Sequence, residues 1–406
     1  MAGTLKHLYR AIVDDRVRDA MWALRSRGDA SVLSAVVRGM FGWPHAAGTA
    51  REHLDATMAW LCAAQDAVAG GGVSAFYDVR AGTWGPPYPE TTGYIIPTFH
   101  EVARLTGDAG LAARADRMAG WLLTLQLPDG AFPIGPLWPD WARDAIVFDT
   151  GQILHGLVRT YEERRDARVL EAASRAGDWL ARIQENDGAW RRHESDEKEK
   201  TYNVRTAWAL LRLHAVSGSD RHRDAAVKNL QRALSVQAPD GWYASMEFKA
   251  GTDPLTHTIA YTIEGVLESG ILLGDDRLIA SARKAADAML EAQREAGGIL
   301  RGRYAPGWTS THTWTCLTGT AQMAMVWLTL HGITKDPRYV DAAQVASRHV
   351  RERQVRGSAL AGVAGGIAGS WPIYGEYEPY RHLNWAAKFF VDGLLLELRL
   401  GAVQAR

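Results

Sequence analysis

Six times along this chain a helix-like segment ends in glutamine and is followed by a loop and a second, more apolar segment. The glutamines are Gln65, Gln126, Gln184, Gln237, Gln293 and Gln354, spaced 61, 58, 53, 56 and 61 residues apart. A self-similar period of this length means a closed or stacked array of helical hairpins. The expectation is an all-α (α/α)6 toroid, a six-hairpin barrel, over residues 51–406, with an N-terminal helical arm over residues 1–50 packed against its outside. No linker-like stretch interrupts the repeat, so the 406 residues read as one domain plus the arm.

The two helices of each unit differ in pattern. Arg51–Gln65, Gly110–Gln126, Val169–Gln184, Arg221–Gln237, Arg277–Gln293 and Arg338–Gln354 carry apolar residues at three- and four-residue spacing and charges on the other face, which predicts an outer ring. Tyr94–Thr106, Thr150–Glu162, Asn203–Val216, Thr258–Leu272, Gly319–Gly332 and Trp385–Leu398 are apolar nearly all round, which predicts a buried inner ring. Gly93, Gly151, Ala207, Gly265, Gly319 and Ala386 would let these inner helices approach closely. Short Gly/Asp turns, such as Thr106-Gly-Asp108 and Gly274-Asp-Asp276, lead from inner to outer helices. The outer-to-inner loops are long, and long loops in a compact domain are usually functional. All six fall on one rim, and that rim is the predicted location of the site.

Composition removes several function classes. Lys+Arg and Asp+Glu both total 46, so no net field favours nucleic acid or a membrane surface. No apolar run reaches the roughly eighteen residues a membrane span requires. The first residues lack an apolar signal-peptide core, and two cysteines, Cys62 and Cys316, cannot form a disulfide framework, so the expected compartment is cytoplasmic. The oligomeric state stays open.

Gln184-Glu-Asn-Asp-Gly188-Ala-Trp190 reproduces the Q-x-x-x-G-x-W repeat of terpene cyclases, with near-copies at Gln126–Phe132 and Gln237–Tyr243. In that family the motif is structural. The D-x-D-D acid motif of such cyclases is absent, its nearest counterpart being Phe148-Asp-Thr-Gly-Gln152, and no D-D-x-x-D diphosphate motif stands on the long-loop rim. From Gly93 to Glu397 the chain more closely resembles bacterial α/α-toroid proteins associated with exopolysaccharide genes, through segments such as Glu90–Pro97, Asp149–Leu154, Leu255–Thr262, Cys316–Met323, Gly365–Tyr374 and Asn384–Phe390. Wider relatives of this shape include six-hairpin glycosidases, unsaturated glucuronyl hydrolases, sugar 2-epimerases and uronosyl C5-epimerases. The resemblance implies the fold; chemistry has to come from residues.

Those at or before the inner-helix starts are Glu90 and Tyr94, Asp149 and Gln152, Tyr202 and Arg205, His257 and Tyr261, Cys316, Thr318 and Gln322, and Asn384 with Lys388. Six polar clusters in register on otherwise apolar helices predict a polar cavity. Aromatics crowd the same rim, among them Trp138, Trp141, Trp314, Trp371, Tyr374 and Tyr377, and either pack the loops or stack against sugar rings. Asp149 is the candidate general acid or base, unless it only caps its helix, with Glu90, Glu376 or Glu378 as a second carboxylate. His257, Tyr261 and Tyr202 are the other candidate catalytic groups. Arg205 either clamps a substrate carboxylate or pairs with Asp149 or Glu90. A zinc site would need more ligands than Cys316 and a histidine such as His257 or His312 supply, and no cofactor motif is present, so neither metal nor cofactor is expected. The function expected is glycosidic-bond cleavage on an anionic, uronate-type oligo- or polysaccharide. Uronate epimerase or lyase chemistry, terpenoid-cyclase-like isoprenoid chemistry and a non-catalytic glycan-binding module are the alternatives.

Overall fold

A computed structural model describes residues 43–138 and 144–404, together with Arg38. The predicted N-terminal arm, apart from Arg38 and its last residues from Trp43, lies outside the described residues, and so does Trp141. Twelve α-helices run through the described chain in two alternating sets. The outer set is α1 (Ala50–Asp66), α3 (Ala109–Leu123), α5 (Ala167–Ile183), α7 (Asp220–Ser235), α9 (Asp276–Glu295) and α11 (Pro337–Arg351). The inner set is α2 (Pro89–Thr106), α4 (Val147–Arg164), α6 (Val204–Ser217), α8 (Thr256–Leu273), α10 (Leu317–Thr334) and α12 (Asn384–Gln404). Each inner helix packs against the next inner helix, and α12 returns to α2, so the inner ring closes. This is the expected (α/α)6 toroid.

The hairpins pair across the short turns: each inner helix packs on the outer helix that follows it, and α12 packs on α1 to complete the sixth pair. Gly107, Gly218 and Gly274 end their inner helices in the left-handed conformation. Asp108, Asp166, Asp275 and Asp336 cap the outer helices that follow, each accepting from a backbone N–H two residues on. The inner helices come close because glycine faces backbone. A methyl group on Gly93 would stand 2.5 Å from the Ile153 Cα, and one on Gly319 2.5 Å from the His257 N.

The repeated glutamines hold the outer ring together. The side-chain amide of Gln184 donates to Gly188 O at 3.1 Å in its own loop and to Ala225 O at 2.8 Å on the next outer helix. Gln65, Gln126 and Gln237 repeat the pattern onto Arg114, Ala172 and Ser281, and Gln293 reaches Ala342. Gln354 joins last helix pair to first, donating to Thr57 Oγ1 at 2.8 Å and to Gly365 O at 2.7 Å. The terpene-cyclase-like motif is therefore scaffold here, as expected. Its glycine is required twice over: Gly188 has φ of 87°, and a Cβ there would meet Lys228 O at 2.4 Å.

The long loops carry the only strands among the described residues, and these are short. β1 (Phe76–Asp78) pairs antiparallel with β2 (Thr83–Trp84) and with β5 (Arg381–Leu383), while β3 (Thr315–Cys316) pairs with β4 (Ser370–Trp371). The first sheet stitches the first long loop to the last, across the closure of the ring.

Gly188→Ala is expected to destabilise the protein by more than about 2 kcal/mol, since left-handed strain of ~1–2 kcal/mol adds to a backbone clash. Gly107→Ala, at φ of 74° with nothing within 4 Å of the added methyl, should show the strain alone. Paired denaturant melts measure the difference; equal losses would mean the close approach carries no weight.

Candidate active site

At the long-loop rim the inner-helix starts open into a cavity of about 490 Å³. Glu90 is the second residue of α2 and His257 the second of α8; Asp149 is the third of α4, and Tyr202 lies in the 3-10 turn Thr201–Asn203 that leads into α6. These four line the cavity together with Tyr94, Tyr261 and Tyr377. The predicted register of inner-helix starts thus converges on one space. The long loops add Trp138, Glu194, Phe248, Glu378 and Arg381 to its walls.

Three buried carboxyls, those of Glu90, Asp149 and Glu194, face this cavity. Asp149 does not cap its helix; its Oδ2 accepts from the Gly135 N–H at 2.8 Å, and the cap position is taken by Ile146. Burial raises the Asp149 carboxyl to about 7 against the Gly135 hydrogen bond. A helix N-terminus favours the anion by at most ~1–2 kcal/mol, whereas full burial can move a carboxyl by several pH units, so burial wins. Glu90 is pushed well above the carboxylate range, first by burial and then by the Asp149 charge, although the Tyr88 hydroxyl hydrogen-bonds it. Glu194 is raised to about 8 by burial while accepting from Asn203 Nδ2 at 2.8 Å. Two interacting carboxyls that both hold protons above the usual carboxylate range can share the acid and base tasks in one place.

His257 is neutral above about pH 3, because burial opposes its cation. Its Nδ1 lies 2.6 Å from Gln322 Oε1, which assigns the proton to Nδ1 and leaves Nε2 as the acceptor. Its ring lies 4.2 Å from that of Tyr261, whose hydroxyl donates to the Tyr94 hydroxyl at 3.5 Å. Phe148 packs edge-on against Tyr202 at 5.0 Å, and the Trp385 Nε1–H donates to the Tyr377 hydroxyl at 3.0 Å. Trp138 and Phe248 stand at the mouth, 41% and 38% exposed.

Several expected substrate contacts lie elsewhere. Arg205 is buried below the floor, with its guanidinium bonded to Glu264 and to Gln152 Oε1 at 2.9 Å, so it offers no open fork to a ligand and Gln152 serves to hold it. Neither Asp149 nor Glu90 is its ion-pair partner. Gln322 acts through His257. Asn384 Nδ2 binds Ser74 O and Thr91 Oγ1, which ties the ring closure, and Lys388 pairs with Asp392 at 2.7 Å. Trp314 packs with Leu255 and Cys316 behind the wall, Trp371 lies under Arg353, and Tyr374 lines a separate outer depression. Each is drawn away because its polar or aromatic group completes a neighbour's packing. Cys316 is buried, its thiol raised to about 12, and caps α10, which removes it as a nucleophile. No group of three or more His, Cys, Asp or Glu side chains among the described residues could hold a metal ion.

Sequence reading missed Glu194, Phe248, Arg381, Phe148 and Trp385. The last two flank Asp149 and Asn384, so the helix-start register could have supplied them. Glu194, Phe248 and Arg381 lie in the long loops outside the repeat and carry no signal.

The C-terminal domain of squalene-hopene cyclase matches residues 86–277 as a family. Drimenyl diphosphate synthase of Streptomyces showdoensis is 30% identical over 175 residues, which is 42% of this chain and 30% of that protein. The corresponding protein of Streptantibioticus cattleyicolor is 31% identical over 96 residues, covering 24% of this chain and 16% of its own. The matched segments thus span less than a third of those relatives. In three dimensions the chain resembles an unsaturated glucuronyl hydrolase specific for heparin, with a TM-score of 0.69, 17% identity and coverage of 87% of this chain and 98% of that one. It also resembles cellobiose 2-epimerase from Bacillus thermoamylovorans (0.69, 10%, covering 85% and 97%) and a D-mannose isomerase (0.68, 13%, covering 87% and 97%). The chain has the toroid fold shared by these enzymes.

Raised carboxyls give a stability signature of definite sign. Stability from protonated Asp149 and Glu194 is fully present below pH ~4 and is lost as pH rises through about 7 and 8. Wild-type melting temperature should therefore fall between pH 5 and pH 8.5, and Glu194→Gln should reduce that fall by ~2 °C or more. Parallel pH-dependent thermal melts test it; an identical slope in the variant would contradict the assignment.

Proposed function

We propose that this protein is a carbohydrate-active enzyme that cleaves a glycosidic bond in a uronate-type oligo- or polysaccharide by acid/base catalysis. The observation that carries this reading is the Glu90–Asp149 pair, two buried carboxyls of raised proton affinity facing one cavity walled by aromatic rings. Glu90, whose proton is held by burial and by the Asp149 charge, acts as general acid on the leaving oxygen. Asp149, whose carboxylate is supported by the Gly135 N–H, acts as base toward the attacking water. Tyr202, His257 and Tyr261 line the reacting sugar, and their hydroxyls and the His257 Nε2 suit its hydroxyl groups. Trp138 and Phe248 offer ring faces at the mouth for a neighbouring unit. The shape shared with glucuronyl hydrolase, epimerase and isomerase structures supports a sugar, and the sequence resemblance to exopolysaccharide-associated toroids points the same way. Uronate elimination or epimerisation would use the same pair, with proton abstraction from carbon in place of water activation.

Isoprenoid cyclisation is the second reading, favoured by the cyclase-domain match across Glu90, Asp149 and Glu194 and by the aromatic walls, which would suit a carbocation. It needs only a protonated acid, so its pH profile runs the other way.

With a glucuronate-containing oligosaccharide, Asp149→Asn and Glu90→Gln should each lower kcat/KM by about 10²–10⁴-fold. Wild-type kcat/KM should rise as pH increases through about 7, as Asp149 ionises. Full turnover in both variants would remove the pair from the reaction. A rate that falls through the same pH range, with prenyl diphosphate consumed, would favour the isoprenoid reading. New ultraviolet absorbance in the sugar product would mark elimination.

A further inference from the structure

A uronate brings a negative charge into a cavity already lined by four carboxyls, those of Glu90, Asp149, Glu194 and Glu378. The guanidinium expected to meet it, that of Arg205, is committed to Glu264 and Gln152, and the Lys388 ammonium to Asp392. Among the described lining residues one Arg or Lys remains, Arg381, and it stands at the mouth. Its position is set by backbone: it occupies β5 opposite Asp78 of β1, in the sheet that closes the ring. Its guanidinium lies over the Phe76 ring at 4.0 Å, which fixes its plane. Glu378 Oε2 accepts from its Nη1 at 2.7 Å, and Asp78 Oδ2 stands 3.8 Å from its Nε. The Asp78 carboxylate is itself shared, since Oδ1 accepts from the N–H groups of Arg80 and Ala81 at 2.9 and 2.8 Å. An arginine presents five N–H donors in a rigid fork, so one hydrogen bond to Glu378 leaves donors for a second carboxylate. The side chain of Arg381 is 35% exposed, within reach of a ligand entering the cavity.

We propose that Arg381 is the specificity-determining residue that recognises the carboxylate of the sugar substrate, held ready by Phe76, Glu378 and Asp78. This rests on the carbohydrate reading above and adds to it the group that selects an acidic sugar over its neutral counterpart. The arrangement separates the two tasks of the site. Arg381 at the mouth binds the carboxylate, and Glu90 and Asp149 on the inner-helix starts face the bond that changes. Placing this cation on the loop side also keeps its charge from lowering the proton affinity of Glu90 and Asp149, neither of which it perturbs.

The test compares a glucuronyl-glucose disaccharide with its carboxyl-reduced counterpart, using the full chain. Wild type should bind the acidic sugar at least about tenfold more tightly by titration calorimetry. Arg381→Gln should abolish that preference while its affinity for the neutral sugar stays within about twofold. Arg381→Lys, which keeps the charge and loses the fork, should fall between. Unchanged melting temperatures confirm that the variants are folded, and Arg381→Lys carries the test if Arg381→Gln does not fold. An equal loss of both sugars in the variants, an unaltered preference, or no preference in wild type overturns the proposal. Turnover is read separately with Asp149→Asn: if that variant retains full turnover, the acid/base reading fails whether or not the carboxylate preference is found.

Discussion

Every feature of the site depends on one hydrogen bond made six times, from the side-chain amide of a glutamine at the end of one outer helix to the next outer helix. A buried amide donor left unmet would lose roughly 1–3 kcal/mol, so each glutamine fixes the spacing to its neighbour, and all but Gln293 also bond their own loop. The glycine four residues later in the Gln126, Gln184 and Gln237 motifs is the geometric counterpart, because only a residue without Cβ lets the loop lie against the neighbouring helix backbone. Once the outer ring has this spacing, the inner helices are held at a common level, and their first turns meet around one cavity. The site is a product of register.

That dependence explains what could be read from the sequence. Helix identity and ring membership were legible because the inner and outer patterns differ in how much of each helix is apolar, a local property. Five of the six inner helices begin one to five residues earlier than the apolar pattern suggests, as in α2, which starts at Pro89 and so carries Glu90 within its first turn, while α6 begins one residue later. Asp149, Tyr202, His257 and Tyr261 could be placed together because the repeat brings equivalent positions to one level. Arg205 and Gln152 were at the right level but turn toward each other and Glu264, and which partner a buried guanidinium finds is a property of three helices at once. Glu194 belongs to an irregular loop and Arg381 to the three-residue strand β5 within another, too short for any periodicity to say which side chain faces inward.

The electrostatic character of the cavity follows from the same division. Below its floor, Arg205 with Glu264 and Arg212 with Glu162 place charge inside the ring, and each cation there has its own anion. At the cavity, Glu90, Asp149 and Glu194 form no salt bridge to a basic side chain among the described residues. Carboxyls placed this way hold protons at pH values where surface carboxyls have lost them. The acid/base chemistry proposed for this site draws on that withholding of counter-ions.

The closure of the ring between α12 and α1 has a consequence for the integrity of the cavity. Trp385, Tyr377 and Arg381, which wall the cavity beside Tyr88, Glu90 and Phe76, come from the last unit, and Asn384 ties it to Ser74 and Thr91 some three hundred residues upstream. Without that final helix, the first turn of α2 lies open to water on one side, and its glutamate is an ordinary surface acid. The raised proton affinity of Glu90 is thus a property of the closed ring, and it needs the last helix pair as much as the first.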